Sequence, residues 1–202
     1  MPASPRPRLP AEFVAFHKRR RIMDAIADLT AEHGYEATKI GDIVKRAGVA
    51  RKTLYDNFEG KEDVFLAAFD SAVEDIVGRV EAACEKAGDG WEERLQAGLS
   101  AFLDYVAEEP ATARMCMVEA MSATPTATRR YEDALQRFVA MTKVTAPYYE
   151  QLPETIEETL VGGVAWIVHQ KLRRREAERA GELLDELDRF VLGPYRGMAA
   201  AK

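Results

Sequence analysis

The chain has 202 residues, enough to bury a core without disulfides, and its two cysteines, Cys84 and Cys116, form no CxxC pair. It is 47% hydrophobic and 31% charged, an ordinary balance for a globular chain, and no apolar run nears the ~20 residues that span a bilayer. The net charge of −6 argues against a polyanionic partner until the chain is divided: residues 1–56 carry 11 Lys/Arg against 7 Asp/Glu, and the rest carry 17 against 27. A basic head on an acidic body is the asymmetry expected when one end meets nucleic acid.

Residues 1–10 hold Pro2, Pro5, Pro7 and Pro10 with Arg6 and Arg8. They read as a disordered tail, either without a role or laying its two arginines on a polyanion. There is no apolar leader segment, and unpaired thiols suit a reducing compartment, so a cytoplasmic location is expected. Ala11 to His33 reads as a first helix with Ile22, Ile26 and Leu29 inward and Gly34 as its stop. Its basic run, Lys18 to Arg21, is either a solvated face or a phosphate contact.

Residues 38–62 organise the chain. Ile40, Ile43, Val44 and Ala47 recur at helical spacing, Thr38 is placed to cap that helix, and Gly48 ends it. Val49, Leu54 and Phe58 return to the core, while Arg51, Lys52, Thr53, Tyr55 and Asn57 face outward. Two short helices around a tight turn, the second with a polar and basic face, is the layout that places a helix in the major groove. Guanidinium and ammonium groups suit guanine edges, which makes Arg51 and Lys52 the expected base readers. An ordinary solvated helix face is the alternative.

Lys61 to Lys86 reads as a long helix with Val64, Phe65, Ala68, Phe69, Ala72 and Ile76 inward, followed by a break at Gly88-Asp89-Gly90. Trp91 to Glu109 presents Leu95, Leu99, Phe102, Leu103 and Val106 and stops at Pro110. A shorter helical segment, Ala111 to Ala123, precedes a long helix opened by Pro125, which Pro147 should kink or end. Pro153 introduces a last pair of helices, the second closing at Gly193-Pro194. No β-pattern or internal repeat occurs. The fold class is all-α: a tail over 1–10, a helix-turn-helix domain over 11–60 and a helical body over 61–202.

The run Ala-Gly-Val-Ala-Arg-Lys-Thr-Leu-Tyr-Asp-Asn-Phe-Glu-Gly-Lys-Glu-Asp-Val-Phe, residues 47–65, resembles the signature of the tetracycline-repressor (TetR) family of bacterial regulators. The matching elements are Gly48-Val49, Thr53-Leu54-Tyr55, Phe58 and Lys61-Glu62. The resemblance departs at Lys39 and Ala50, where the family commonly has Ser or Thr, and at Asn57, where it commonly has His. It implies a DNA-binding set of Thr38, Lys39, Arg51, Lys52, Thr53, Tyr55, Asn57 and Lys61. Among these, Thr53, Tyr55, Asn57 and Lys61 would hold phosphates of a double-stranded, near-palindromic operator.

The same resemblance implies a homodimer through the last two helices, with Leu160, Gly162, Gly163, Ile167, Leu183, Leu187, Phe190 and Val191 at the interface. Two adjacent glycines inside a helix cost about 1 kcal/mol each against alanine and are kept where another backbone approaches; packing within one chain is the alternative. It also implies a small-molecule pocket in the body. Candidates are Phe102, Tyr105, Met115, Met117, Met121, Tyr131, Phe138, Met141, Trp166 and His169, although Met and aromatic stripes at helical spacing also serve as plain core. A rather apolar effector would suit them. Catalysis finds no motif: the adjacent pairs Glu92-Glu93, Glu108-Glu109 and Glu157-Glu158 point to different helix faces, and no phosphate loop, cofactor fingerprint or metal-ligand spacing occurs.

Overall fold

The computed structural model describes residues 11–145 and 152–200, so the readings of the Pro/Arg tail and of Pro147 lie outside the described residues. All regular structure in the described residues is helical. The chain divides into two compact units, residues 1–68 and 69–202.

The first unit is built from α1 (Ala11–His33), α2 (Ile40–Ala47), α3 (Arg51–Tyr55) and the start of α4 (Lys61–Lys86). Ile22, Ile26, Ile43, Leu54, Val64 and Phe65 are completely buried, as their helical spacing requires. Gly34 closes α1 with φ 85° and Gly48 closes α2 with φ 62°, both in the left-handed region open to glycine. At α2 the Gly48 N–H donates to the Lys45 carbonyl and the Val49 N–H to the Val44 carbonyl, satisfying the terminal acceptors.

One local expectation is corrected here. Thr38 does not cap α2. The cap position is Lys39, which offers no side-chain bond, and the Thr38 hydroxyl instead donates 2.9 Å to the Gly34 carbonyl. Thr38 is 2% exposed, so it fastens the α1–α2 turn from below.

The second unit continues α4 and adds α5 (Trp91–Glu108), α6 (Pro110–Arg114), a π-helical turn (Met115–Glu119), α7 (Ala120–Ala123), α8 (Pro125–Thr145), α9 (Ile156–Arg173), a 3₁₀ segment (Ala177–Leu183) and α10 (Leu184–Ala200). One core cluster joins Leu103 and Val106 of α5 to Val168 and Leu172 of α9 and to Leu183 and Leu187. A second gathers Leu160, Val191 and Tyr195, with the Trp91 ring edge-on to Tyr195 at 5.1 Å.

Two boundaries differ from expectation. The segment after Pro110 is broken in its middle by the π turn, a widened register that periodicity alone does not reveal. And α10 runs through Gly193-Pro194 to Ala200 instead of closing there. A proline removes one helical bond, a cost of about 3 kcal/mol in a helix interior; burial of Val191, Leu192 and Tyr195 on either side of it opposes that cost.

Candidate functional site

Two regions of the molecule carry candidate functional residues, one in each unit. In the first, α3 turns Leu54 inward and leaves Arg51, Lys52 and Tyr55 exposed, with Thr53 half-buried. The Arg51 guanidinium lies 5.8 Å from the Tyr55 ring centre, and its Nη2 is 3.5 Å from the phenol oxygen. Lys39, at the cap of α2, is exposed as well.

The other expected contacts are placed differently. Asn57 folds back, its amide donating 2.8 Å to the Thr53 carbonyl to close the short helix. Lys61 donates 3.0 Å to the Tyr35 carbonyl with its ammonium 4.0 Å over the Tyr35 ring, so it ties α4 to the turn after α1. Thr38 is buried, as described. The basic run of α1 is also partly engaged in structure. Arg19 donates to the Asn57 carbonyl at 2.9 Å and stacks 4.2 Å over Phe58, and Arg21 reaches the Gly48 carbonyl at 3.3 Å. Sequence reading missed this bracing, because a run of four basic residues does not say which of them point back at carbonyl groups.

In the second unit a cavity of about 580 Å³ lies among α4, α5, α8 and α9, a volume in the usual range for small-molecule sites. On α4 its wall extends from Phe69 to Glu85, which at 1.5 Å per residue is about 24 Å. Ala72 and Ile76, expected as inward core, wall this hollow together with Val73 and Val80. Across it stand Phe102, Tyr131, Leu135 and Phe138, with the Phe102 and Phe138 rings edge-to-face at 6.1 Å. Outside the hollow, α8 is held to α4 by ion pairs, Arg137 with Glu74 at 2.5 Å and Arg130 with Asp70.

Of the ten expected pocket residues, Phe102, Tyr105, Met117, Tyr131, Phe138 and Met141 line this cavity. The other four do not. Met115 is completely buried away from it, Met121 and Trp166 are 46% and 58% exposed, and His169 binds the Met117 carbonyl through Nδ1 at 2.8 Å while stacking on Trp166. Burial pushes the Cys116 thiol up to about 12, raises Cys84, and raises the Tyr105 and Tyr131 phenols. Neutral side chains therefore dominate the wall. Cys84, Arg94, Leu95, Gly98 and Leu99 also line it and were not anticipated. Gly98 was the available signal: an added Cβ would sit 2.9 Å from the Cys84 sulfur, so a larger residue cannot hold α5 this close to α4.

The expected interface on the last two helices splits in the same way. Leu160, Leu183, Leu187 and Val191 are buried inside the chain, at 2%, 8%, 3% and 6% exposure, and belong to its own core. Gly162, Ile167 and Phe190 are exposed, and Gly163 backs the Phe190 ring. Together with Trp166 they form an apolar face that the helix period alone could not separate from the inner one.

The first unit is thus built as a helix-turn-helix module, and the second is all-α among its described residues. Residues 22–68 match the family model for bacterial regulatory proteins of the tetR family, so this segment carries that family's DNA-binding signature. The chain is 30% identical over 89 residues to the HTH-type transcriptional activator FasR of Mycolicibacterium smegmatis, a match covering 44% of this chain and 40% of that protein. It is 36% identical over 64 residues to the fatty acid metabolism regulator protein of Bacillus subtilis, covering 32% and 33% of the two chains. The matches thus span well under half the length of these relatives. In fold it resembles the transcriptional regulator FadR of Bacillus subtilis solved with stearoyl-CoA, with a TM-score of 0.74 at 19% identity over 85% of this chain and 96% of that one. No helix among the described residues is long and apolar enough to cross a membrane.

Proposed function

We propose that the chain is a homodimeric, effector-responsive regulator that binds a near-palindromic operator through α3 and is released from it by a long-chain, fatty-acyl type of ligand. The observation that carries this reading is the pairing, in one chain, of an exposed Arg51-Lys52-Tyr55 face with an almost wholly apolar cavity whose α4 wall runs about 24 Å. An apolar hollow with so extended a wall suits a hydrocarbon chain, and relatives named for fatty acid metabolism or solved with stearoyl-CoA support that class.

A lone helix-turn-helix binds weakly, and symmetric half-sites call for two copies. The exposed Gly162, Trp166, Ile167 and Phe190 on α9 and α10 supply the apolar face such a pairing needs. A ligand that favours the dimer conformation with its two heads at the wrong separation then shifts the population off DNA. Occupying a promoter blocks polymerase sterically, which makes repression the first reading. Activation is the second, because the relative FasR is an activator.

The test is salt-dependent binding to duplex DNA from beside the protein's own gene, against a scrambled duplex, with and without a long-chain acyl compound. Sequence-selective binding that weakens steeply with salt and is reversed by the compound is expected. Equal, weak binding to both duplexes refutes the operator assignment. Reporter expression that falls on deleting the gene would select activation over repression.

A further inference from the structure

The charged residues of the cavity wall all lie at one end of it. Glu81 and Glu85, on the last turns of α4, are exposed at the rim, and Arg94 of α5 is half-buried beside them. Its position is fixed by the Cys84 sulfhydryl, which donates 3.2 Å to the Arg94 carbonyl and pins the two helices together there. The Arg94 Nε is fully buried and has no hydrogen-bond partner among the described residues. A buried guanidinium donor without an acceptor is costly, and such a group calls for an explanation. The far end, around Phe69, Ala72 and Tyr131, holds no charge.

We infer that Arg94 is the head-group anchor of the cavity, and that the effector is a single-chain amphiphile whose free carboxylate lies against its guanidinium while the hydrocarbon runs toward Phe69. The inference rests on the apolar-effector reading above and narrows it to an anionic acid over a neutral lipid or a thioester. An arginine presents a planar fork of donors that matches a carboxylate. The rim glutamates, in solvent, are screened and oppose it weakly. A thioester offers the guanidinium no carboxylate at the acyl end, which is why the free acid is favoured over a coenzyme conjugate.

The test is calorimetric titration of the full chain with dodecanoate, 1-dodecanol and dodecanoyl-CoA, using wild type, Arg94→Gln and Arg94→Lys. Wild type should bind dodecanoate about ten- to a hundredfold more tightly than dodecanol, the span expected of a charge-assisted hydrogen bond. Arg94→Gln should erase that preference while leaving dodecanol binding intact, and Arg94→Lys should restore part of it. If Arg94→Gln does not fold, Arg94→Lys against wild type carries the comparison. Equal wild-type affinity for acid and alcohol, an unchanged preference in Arg94→Gln, or tighter binding of dodecanoyl-CoA overturns the anchor while leaving the apolar cavity standing. Failure of all three compounds to bind wild type overturns both.

Discussion

A Cβ added to Gly163 on α9 would lie 2.9 Å from Cε1 of Phe190 on α10, so the absence of a side chain at one position lets the ring edge at the other come up against the helix. Phe190 is still 45% exposed, and Trp166, one turn along α9, is 58% exposed. Two large exposed aromatics beside an open glycine face are what a partner helix pair would cover. Replacing Trp166 with Arg should therefore convert a dimer to monomer in sedimentation velocity while leaving the far-UV CD spectrum unchanged. A variant that stays dimeric rejects this face as the interface.

Gly48 can be tested at once for its backbone role. Its φ of 62° strains any other residue by about 1–2 kcal/mol, and a Cβ there would also stand 2.5 Å from the Arg21 guanidinium. Gly48→Ala is expected to lower the urea midpoint and to weaken DNA binding, because α3 is aimed by this turn. Unchanged stability would show that the turn relaxes freely.

For Lys52 the expectation concerns salt. The side chain is exposed on α3 with Leu54 buried on the opposite face, so Lys52→Ala should leave the melting temperature within ~0.5 kcal/mol equivalent. If it meets a phosphate, the slope of log affinity against log salt falls by about 1; if it reads a base, selectivity falls instead. An affinity that moves in neither respect removes Lys52 from the interface.

Leu99 is half-buried in the cavity wall between Gly98 and Phe102. Leu99→Trp should fill part of the hollow, abolish binding of acyl compounds and leave operator binding in place but no longer reversible by them. Overpacking of this kind costs about 1–3 kcal/mol, so the variant's melting curve has to accompany the titration. Retained release by the acyl compound would move the effector site elsewhere.

Stability should fall in alkali. Burial, the largest cause, raises the Cys116 thiol and the Tyr195 phenol each to about 12, and raises Cys84, Tyr105 and Tyr131. These groups hold their protons in the folded chain and release them sooner when unfolded. Their contribution is complete below the unfolded thiol value of about 8.5 and is lost as pH rises toward the folded values. Urea midpoints at pH 8 and pH 10.5 should show the decline, and Cys116→Val should make it shallower. A flat profile would mean that the thiol is open to solvent.

By itself the sequence determined the all-α class, the extents of α1 and α4, and the α2–turn–α3 module. Each follows from local physics: Ile22-Ile26-Leu29 keeps one helical stripe, and Gly34 and Gly48 stop helices because only a left-handed residue closes those ends. What only the tertiary structure decided is which member of a pattern does which task. On α9 and α10 both faces are apolar, so Leu160 and Val191 went to the chain's own core while Gly162 and Phe190 stayed outside. Among the basic residues, Arg19 and Lys61 were drawn to carbonyl groups 38 and 26 positions away, leaving Arg51 and Lys52 exposed. The cavity is the clearest case. Phe69, Ala72 and Ile76 have the spacing of a packed core, yet they wall a hollow, beside which α8 meets α4 through ion pairs between residues 60 and 63 positions apart. Periodicity records that a side chain faces inward; what stands opposite depends on chain segments the local pattern cannot see.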